Sequence, residues 1–232
     1  MTALLTIDTS TPACSVALQV RGRSMNRYSE EPRSHTRLIM SMINEVLSEA
    51  QLSVSQLDAI GVTVGPGSFT GLRIGFATVQ GLAFAADIPV VPVSTLQLMA
   101  ATYGRLADVP AGTTVVPVLD ARMAEFNCAV YRIESAAKVT VLEPDQLLSA
   151  AQALAIIEQY PAAMVVGNAG PLIEESEFSA DNYRSVYPNA LDLLAIAESG
   201  LAKGMAQSVE TIDLVYLRGT EAWQKRKRIR EL

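Results

Sequence analysis

Gly65-Pro66-Gly67-Ser68-Phe69-Thr70-Gly71-Leu72-Arg73-Ile74-Gly75 joins an apolar segment, Leu57 to Val64, to a second apolar segment that continues to Ala86. Glycine, proline and hydroxyl residues concentrate at the junction, which indicates a turn from a strand into a helix that begins at about Thr70. Because glycine lacks a side chain, such a turn lets backbone N–H groups approach either an anion or a neighbouring stretch of backbone. The sequence leaves both interpretations open.

The helix predicted after this turn has almost no polar face. Only Arg73, Gln80 and two threonines interrupt its apolar and glycine surface, so it must be buried on more than one side. Its three glycines each destabilise it by roughly 1 kcal/mol relative to alanine, a cost that tight packing of another backbone would offset. Burial inside this chain is one explanation, and we favour the other, a subunit interface.

A second helix with surplus apolar surface is predicted upstream, from the N-cap residue Ser34 to about Ala50. Its apolar residues span roughly 200° of the helical circumference, more than one buried face requires. Exposing such a surface is unfavourable, so without another partner we expect it to pair with itself as a homodimer. The predicted partner interface comprises Leu38, Ile39, Met42, Gly71, Leu72, Arg73, Gly75, Val79 and Gln80.

The second half of the sequence repeats the pattern of the first half. An apolar strand ends in Asp8, and a similar strand ends in Asp120, 112 positions later. The alternative is a chance similarity of two apolar strands; we favour a duplicated domain. We therefore predict an α/β fold with two lobes, each a mixed sheet flanked by helices. The predicted division is an N-terminal lobe with the partner-binding helices (1–107), a C-terminal lobe (108–211), and a closing segment with a basic tail (212–232).

Composition indicates a soluble globular protein. Half of the residues are apolar and 18% are charged, and no apolar run is long enough to span a membrane. The residues after Met1 show no signal-peptide pattern. Cys14 and Cys128 lie in separate predicted strands, which favours reduced, buried thiols and a cytoplasmic location.

The formal net charge of −6 is unevenly distributed. Residues 218–232 carry six Lys or Arg against two Glu, whereas the rest of the chain is acidic. A basic tail can steer toward RNA phosphates or toward an acidic partner, and it can equally be a solvated terminus.

Two strand-end aspartates with glycine turns before helices resemble the actin, hexokinase and Hsp70 superfamily, whose two lobes hold a nucleotide in a central cleft. A closer resemblance, from residue 4 to about 225, is to the TsaB (YeaZ) family of bacterial tRNA threonylcarbamoyladenosine biosynthesis proteins. The motifs that carry it are Ile7 to Ser10, Ala13 to Ala17, Gly65 to Gly75, Val93 to Leu96, Leu119 to Arg122 and Val215 to Arg218.

This resemblance implies a cytoplasmic, non-catalytic subunit that forms a heterodimer with the paralogue TsaD and acts with the ATPase TsaE. The complex transfers a threonylcarbamoyl group to the adenosine 3′ to the anticodon of tRNAs that read codons beginning with A. Contact with tRNA is then expected through the complex, and the tail residues that would make it are Lys225, Arg226, Lys227 and Arg228.

The residues themselves favour a partner over a catalyst. TsaD-like enzymes bind a metal through paired histidines, whereas this chain has one histidine, His35. We expect His35 to cap or pack the first turn of its helix, and we expect no metal site and no catalytic triad. A peptidase activity is not expected either.

Nucleotide binding in the cleft is the open question. The candidate contacts are Asp8, Thr9, Ser10, Asp120 and Gly167, but the loops after both aspartates lack glycine and offer a phosphate little room. We expect no tightly held cofactor, with weak or interface-shared ATP or ADP left open. The two aspartates are either magnesium-side acids or strand-end groups bonded to the adjacent turn. The alternative function is a stand-alone ATP-binding phosphotransferase or ATPase of the same fold.

Overall fold

The computed structural model describes residues 2–135, 138–174 and 180–218 of this chain. The strands are β1 (Leu4–Asp8), β2 (Cys14–Val20), β3 (Arg23–Ser29), β4 (Ala59–Gly65), β5 (Val90–Ser94), β6 (Thr113–Asp120), β7 (Glu125–Ser135), β8 (Lys138–Ser149), β9 (Met164–Asn168) and β10 (Tyr183–Arg184). The helices are α1 (His35–Ala50), α2 (Phe69–Ala86), α3 (Thr95–Ala107), α4 (Ala150–Gln159), α5 (Gly170–Glu174) and α6 (Ala190–Ala202). Short 3₁₀ turns lie at Val54–Gln56, Ala180–Asn182 and Val209–Thr211.

The ten strands form two five-stranded sheets with the same topology. The first sheet has the order β3-β2-β1-β4-β5 and the second has the order β8-β7-β6-β9-β10. In each sheet the three strands of the meander pair antiparallel, and the two later strands join parallel. Asp8 and Asp120 end the equivalent central strands β1 and β6. The predicted duplicated α/β fold with two mixed sheets is therefore confirmed.

Helices cover both faces of the first sheet, which explains why β1 and β4 are buried along their whole length. Side chains alternate along a strand, so neighbouring residues of β1 face opposite helices. Leu5 and Ile7 belong to the core formed with α1 and α2. Leu4 instead packs with Leu193 and Ala197 of α6 on the other face.

Two helices cross between the halves of the sequence. Although α6 comes from the second half, it packs against the first sheet. Residues of α3, which comes from the first half, join the core of the second sheet. An ion pair links the two helices, with Arg105 Nε 2.5 Å from Asp192 Oδ1. The predicted division after residue 107 would therefore separate α3 from the second sheet and α6 from the first sheet, although each helix contacts that sheet.

The two helices predicted in the first half agree with α1 and α2 to within one residue at each end. The N-cap prediction for Ser34 is right in position but wrong in its contact. Ser34 makes no side-chain cap bond, and its hydroxyl donates to the carbonyl of Glu31. In contrast, Ser68 caps α2 by accepting a bond from the Gly71 N–H at 3.2 Å.

The strand β8 is the longest of the described strands, with 12 residues. It continues to Ser149 along β7, with register shifts between Cys128 and Tyr131. All its residues are half-buried or exposed, and beyond Leu142 the sequence Glu-Pro-Asp-Gln-Leu-Leu-Ser has no alternation of apolar and polar residues to mark a strand. Pairing with a long neighbour, rather than burial, defines this strand.

Both cysteines are buried and unpaired, as predicted, and burial raises the pKa of the Cys14 and Cys128 thiols to about 12. In the described part of the chain, no helix combines the length and apolar character needed to cross a bilayer.

Candidate functional site

The glycine turn between β4 and α2 contacts the loop that follows β1. The Ser68 N–H donates to the carbonyl of Ser10 at 2.7 Å, and the Thr9 hydroxyl donates to the carbonyl of Gly71 at 2.8 Å. A Cβ at Gly67 or Gly71 would overlap the carbonyl oxygens of Ser10 and Thr9, respectively. Of the two interpretations of this turn, the structure supports close approach to a neighbouring backbone.

The other two glycines of α2 have opposite surroundings. A Cβ at Gly75 would overlap the Thr9 hydroxyl, whereas a Cβ at Gly81 would meet no atom of the described residues outside its own stretch of helix within 4 Å. The cost of glycine at position 75 is therefore offset inside this chain. Packing among the residues that the structure describes does not explain Gly81.

Asp8 is completely buried behind the loop that follows β1. Its Oδ1 accepts bonds from the hydroxyls of Ser10 and Thr63, both at 2.6 Å. Its Oδ2 has no hydrogen-bond partner among the described residues. Burial raises the pKa of Asp8 to about 6, although the bonds from Ser10 and Thr63 and the charge of His35 act in the opposite direction.

Asp120 occupies the equivalent strand end in a more open environment. It accepts a bond from the Arg122 N–H at 2.7 Å and lies 3.3 Å from the Arg122 guanidinium. Both aspartates therefore make bonds to the turn that follows them, which is the geometry of the strand-end alternative.

A cleft of about 910 Å³ lies where the loops after β1, β4 and β6 meet residues 215–218. Among the five candidate nucleotide contacts, Ser10 and Asp120 line the cleft. Asp8 and Thr9 lie in the interior. Gly167 has φ +111, and a Cβ there would overlap Met99 and the carbonyl of Val118. Glycine at position 167 thus permits β9 to pack closely against β6 and α3.

His35 is buried at the start of α1 and bonds to the loop after β1. Its Nε2 lies 2.9 Å from the carbonyl oxygen of Thr11 and 3.1 Å from that of Ala13, so this nitrogen carries the proton. The histidine packs the first helical turn, as the sequence predicts. In residues 2–135, 138–174 and 180–218, no three His, Cys, Asp or Glu side chains are grouped to hold a metal ion.

The predicted interface residues divide into an inner and an outer group. Leu38 is half-buried, and Arg73 and Gln80 are exposed. The other six are buried within this chain: Ile39, Met42, Gly71, Leu72, Gly75 and Val79. Ile39, Met42 and Val79 belong to the core of the first sheet, and Gly71 and Gly75 lie against Thr9. Because these six residues are buried, other residues of α1 and α2 form the outer surface of the two helices.

The outer surface of α2 is a stripe that carries one charge. We define the α2 stripe as Thr70, Arg73, Ala77, Gly81 and Phe84, all of them exposed. Their spacing of three or four positions puts them on one side of the helix. Phe84 is 72% exposed. Sequence reasoning missed Ala77 and Phe84, because an almost wholly apolar helix does not indicate which side faces outward.

Comparison with known proteins identifies the family. The family model described as TsaD, tRNA N6-adenosine threonylcarbamoyltransferase, matches residues 29–209. The TsaB protein of Haemophilus influenzae is 34% identical over 229 residues, with 96% of each chain covered. This chain belongs to the TsaB family. The resemblance stated from the sequence motifs is thereby confirmed.

Other members of the TsaB family support the same conclusion over the full length. TsaB of Escherichia coli is 34% identical over 227 residues, with 96% of this chain and 97% of that protein covered. The solved structure of YeaZ from Pseudomonas aeruginosa matches with a TM-score of 0.81 and 33% identity, covering 94% of this chain and 100% of that one. The similarity in sequence and in fold thus extends over nearly the whole of this TsaB-family chain.

Proposed function

We propose that this chain is a non-catalytic subunit in tRNA threonylcarbamoyladenosine biosynthesis that binds a TsaD-like paralogue through α1 and α2. The full-length relatives carry the name of this pathway, and the matching family model is that of the transferase. The complex modifies the adenosine 3′ to the anticodon of tRNAs that read codons beginning with A. It works in the cytoplasm with a TsaE-like ATPase.

The α2 stripe is the observation that carries this proposal. A solvent-exposed helix face normally bears several charges, but Arg73 is the one charged residue in the 18 residues of α2. Phe84 at one end and Met40 on the neighbouring α1 are large, exposed apolar side chains. Burying such a surface against a partner is favourable.

A helix of a paralogue is the partner that this surface fits best. Gly81 leaves open space above the α2 backbone, so a partner helix can approach it closely. A protein of the same family presents an equivalent helix pair, and the two pairs would form a bundle across the interface. In the absence of the paralogue, a second copy of this chain would cover the same surface.

A charge placed on the stripe tests this interface. Ala77→Glu should weaken binding to the TsaD-like protein at least tenfold, because a desolvated carboxylate would lie in the contact. Ala155→Glu on α4 is the matched control, since Ala155 is also an exposed helical alanine. Titration calorimetry measures both affinities. Equal binding by the native chain and by Ala77→Glu would refute the interface.

The non-catalytic role requires a separate measurement. Modification of tRNA is assayed with TsaD and TsaE, with and without this chain, and then with this chain alone. We expect modification when all three proteins are present and none from the chain alone. Full modification without the chain would contradict the proposed role.

A stand-alone ATPase is the second candidate, favoured by the size of the cleft. The cleft volume of about 910 Å³ is sufficient for a nucleotide. Against this candidate, the carbonyl of Ser10 already accepts the Ser68 N–H, so the first loop is packed against protein. Calorimetric titration of the isolated chain with Mg-ATP separates the candidates, because tight binding and turnover would favour the ATPase.

The basic tail adds a third element to the proposal. Lys225, Arg226, Lys227 and Arg228 lie outside the described residues, and the tail prediction rests on the sequence alone. We propose that these residues contact tRNA phosphates in the complex. Deleting residues 225–232 should lower the tRNA affinity of the complex and flatten its salt dependence. An unchanged salt slope would leave the tail as a solvated terminus.

A further inference from the structure

The last described residues cross the mouth of the cleft from one sheet to the other. Ile212 and Leu214 pack against the core of the first sheet. Four residues further along, the Arg218 guanidinium bonds to the loop between β6 and β7. We call Leu214–Arg218 the C-terminal strap, and its residues from Val215 onward line the cleft.

The strap is fixed to the first sheet through its backbone. The Val215 N–H donates to the carbonyl of Val64 at 2.7 Å. Next to this bond, Gly65 has φ +120, and a Cβ there would overlap the carbonyl oxygen of Val215. Glycine at position 65 therefore permits both the local backbone conformation and the close approach of the strap.

A tilted contact between two rings joins the strap to α2, which packs against the first sheet. The rings of Tyr216 and Phe69 lie with their centroids 5.5 Å apart. The Arg73 guanidinium lies 3.3 Å from the Phe69 centroid and 5.4 Å from that of Tyr216. This arrangement combines aromatic contact with cation–π attraction.

Arg218 makes the contact with the second sheet. Its Nη2 donates to the carbonyls of Ala121 and Arg122 at 3.1 and 2.9 Å. The same nitrogen lies 2.5 Å from a carboxylate oxygen of Glu125. One guanidinium therefore contacts both ends of the loop that joins β6 to β7.

The loop that Arg218 contacts has an unfavourable backbone. Arg122, Met123 and Ala124 have φ values of +69, +60 and +55, a region that residues with a Cβ rarely occupy. Three such residues in succession persist only where their surroundings hold them. Backbone bonds close the turn itself, from the Ala121 N–H to the Glu125 carbonyl at 2.9 Å and from the Glu125 N–H to the Arg122 carbonyl at 3.2 Å. Asp120 accepts the Arg122 N–H, and Arg218 adds the bonds that attach this turn to the strap.

We propose that the C-terminal strap sets the width of the cleft and keeps the β6–β7 loop ordered. Arg218 is the residue that holds the cleft closed. The strap joins both walls of the cleft, and its two ends have different chemistry. Backbone and ring contacts fix it to β4 and α2, whereas one guanidinium attaches it to the loop between β6 and β7. Release of Arg218 opens the cleft and frees the loop. This inference does not depend on which reaction the chain serves.

Distance measurement between the two walls tests the proposal. Spin labels are placed at Thr36→Cys and Asn168→Cys, which both line the cleft, while Cys14 and Cys128 are too buried to react. In the full chain we expect a narrow distance distribution. Arg218→Ala should lengthen the mean distance or at least double the width of the distribution. Arg132→Ala, which removes an exposed arginine of β7, is the matched control and should change neither.

Hydrogen–deuterium exchange provides an independent measurement on unlabelled protein. Exchange of residues 119–126 should rise at least tenfold in Arg218→Ala and stay unchanged in Arg132→Ala. Glu125→Gln retains a polar side chain at the contact with Arg218 and should give a smaller increase in exchange. This variant replaces Arg218→Ala if Arg218→Ala fails to fold. Native distances and native exchange in the Arg218 variant, or in Glu125→Gln if it replaces that variant, would overturn the proposal.

Discussion

At the scale of single residues, Asp8 shows how position changes the chemistry of one side chain. Asp8 and Asp120 each end a strand, and the sequence predicts both strand ends. Burial and the contact with Thr63, which lies on β4, distinguish the two. Thr63 is 55 positions away in sequence, so local pattern gave no sign of this contact.

Replacing Asp8 with asparagine should change how stability depends on pH. The pKa of Asp8 rises from 3.8 to about 6 in the folded chain, so the folded state binds the proton more tightly. The stability contributed by Asp8 is present below about pH 4 and is lost as the pH rises to about 6, a decline of about 3 kcal/mol. Asparagine has no such titration.

Urea denaturation of the native chain and of Asp8→Asn at several pH values between 4 and 8 measures this difference. The free energy of unfolding of the native chain should fall relative to the variant between pH 4 and 6, and then stay constant. Two parallel curves across this range would show that Asp8 does not titrate as expected.

At the scale of elements, the helices were predictable and their orientation was not. The turn residues before α2 and the apolar run fix where the helix lies. Its inner residues, such as Leu72 and Val79, and its outer residues, such as Ala77 and Phe84, are equally apolar. A hydrophobic pattern that covers the whole circumference carries no information about which side faces the sheet. The partner prediction therefore included residues of the core.

Alanine at Gly75 and alanine at Gly81, two of the three glycines of α2, should have opposite effects. Gly75→Ala should destabilise the chain by about 1–3 kcal/mol, because the new methyl group overlaps the Thr9 hydroxyl. Gly81→Ala should stabilise it by about 0.5–1 kcal/mol, because it lowers the entropy cost of an open helical position. Urea denaturation measures both changes. A loss of similar size at both positions would contradict the packing described for Gly75.

At the scale of the whole molecule, the repeat was visible in the sequence but the exchange of helices was not. Two strands that end in aspartate predict the duplication, and the two equivalent sheets confirm it. The packing of α6 on the first sheet depends on contacts such as the bond from the Thr6 hydroxyl to the Ala190 carbonyl, at 2.7 Å. These residues are 184 positions apart, which is beyond the reach of periodicity.

The Arg105–Asp192 pair should contribute to holding α3 against α6. Asp192 is 3% exposed at its side chain, so Arg105→Ala leaves a buried carboxylate without its partner and should cost about 3 kcal/mol. In the Arg105→Ala variant, adding Asp192→Asn should lower the free energy of unfolding by much less than Asp192→Asn does in the native chain, since the two groups are coupled. A double-mutant cycle by chemical denaturation measures this coupling. Strictly additive losses would show that the pair contributes nothing.

The position of α6 also determines how this polypeptide can be divided. A fragment that stops in the exposed loop at Asp108 would leave Leu4, Ala59 and Val91 without the helix that covers them. The complementary fragment would carry α6 with its apolar side bare. Produced separately, each piece should aggregate; produced together, they should reassemble by complementation, as the two parts of a split reporter do.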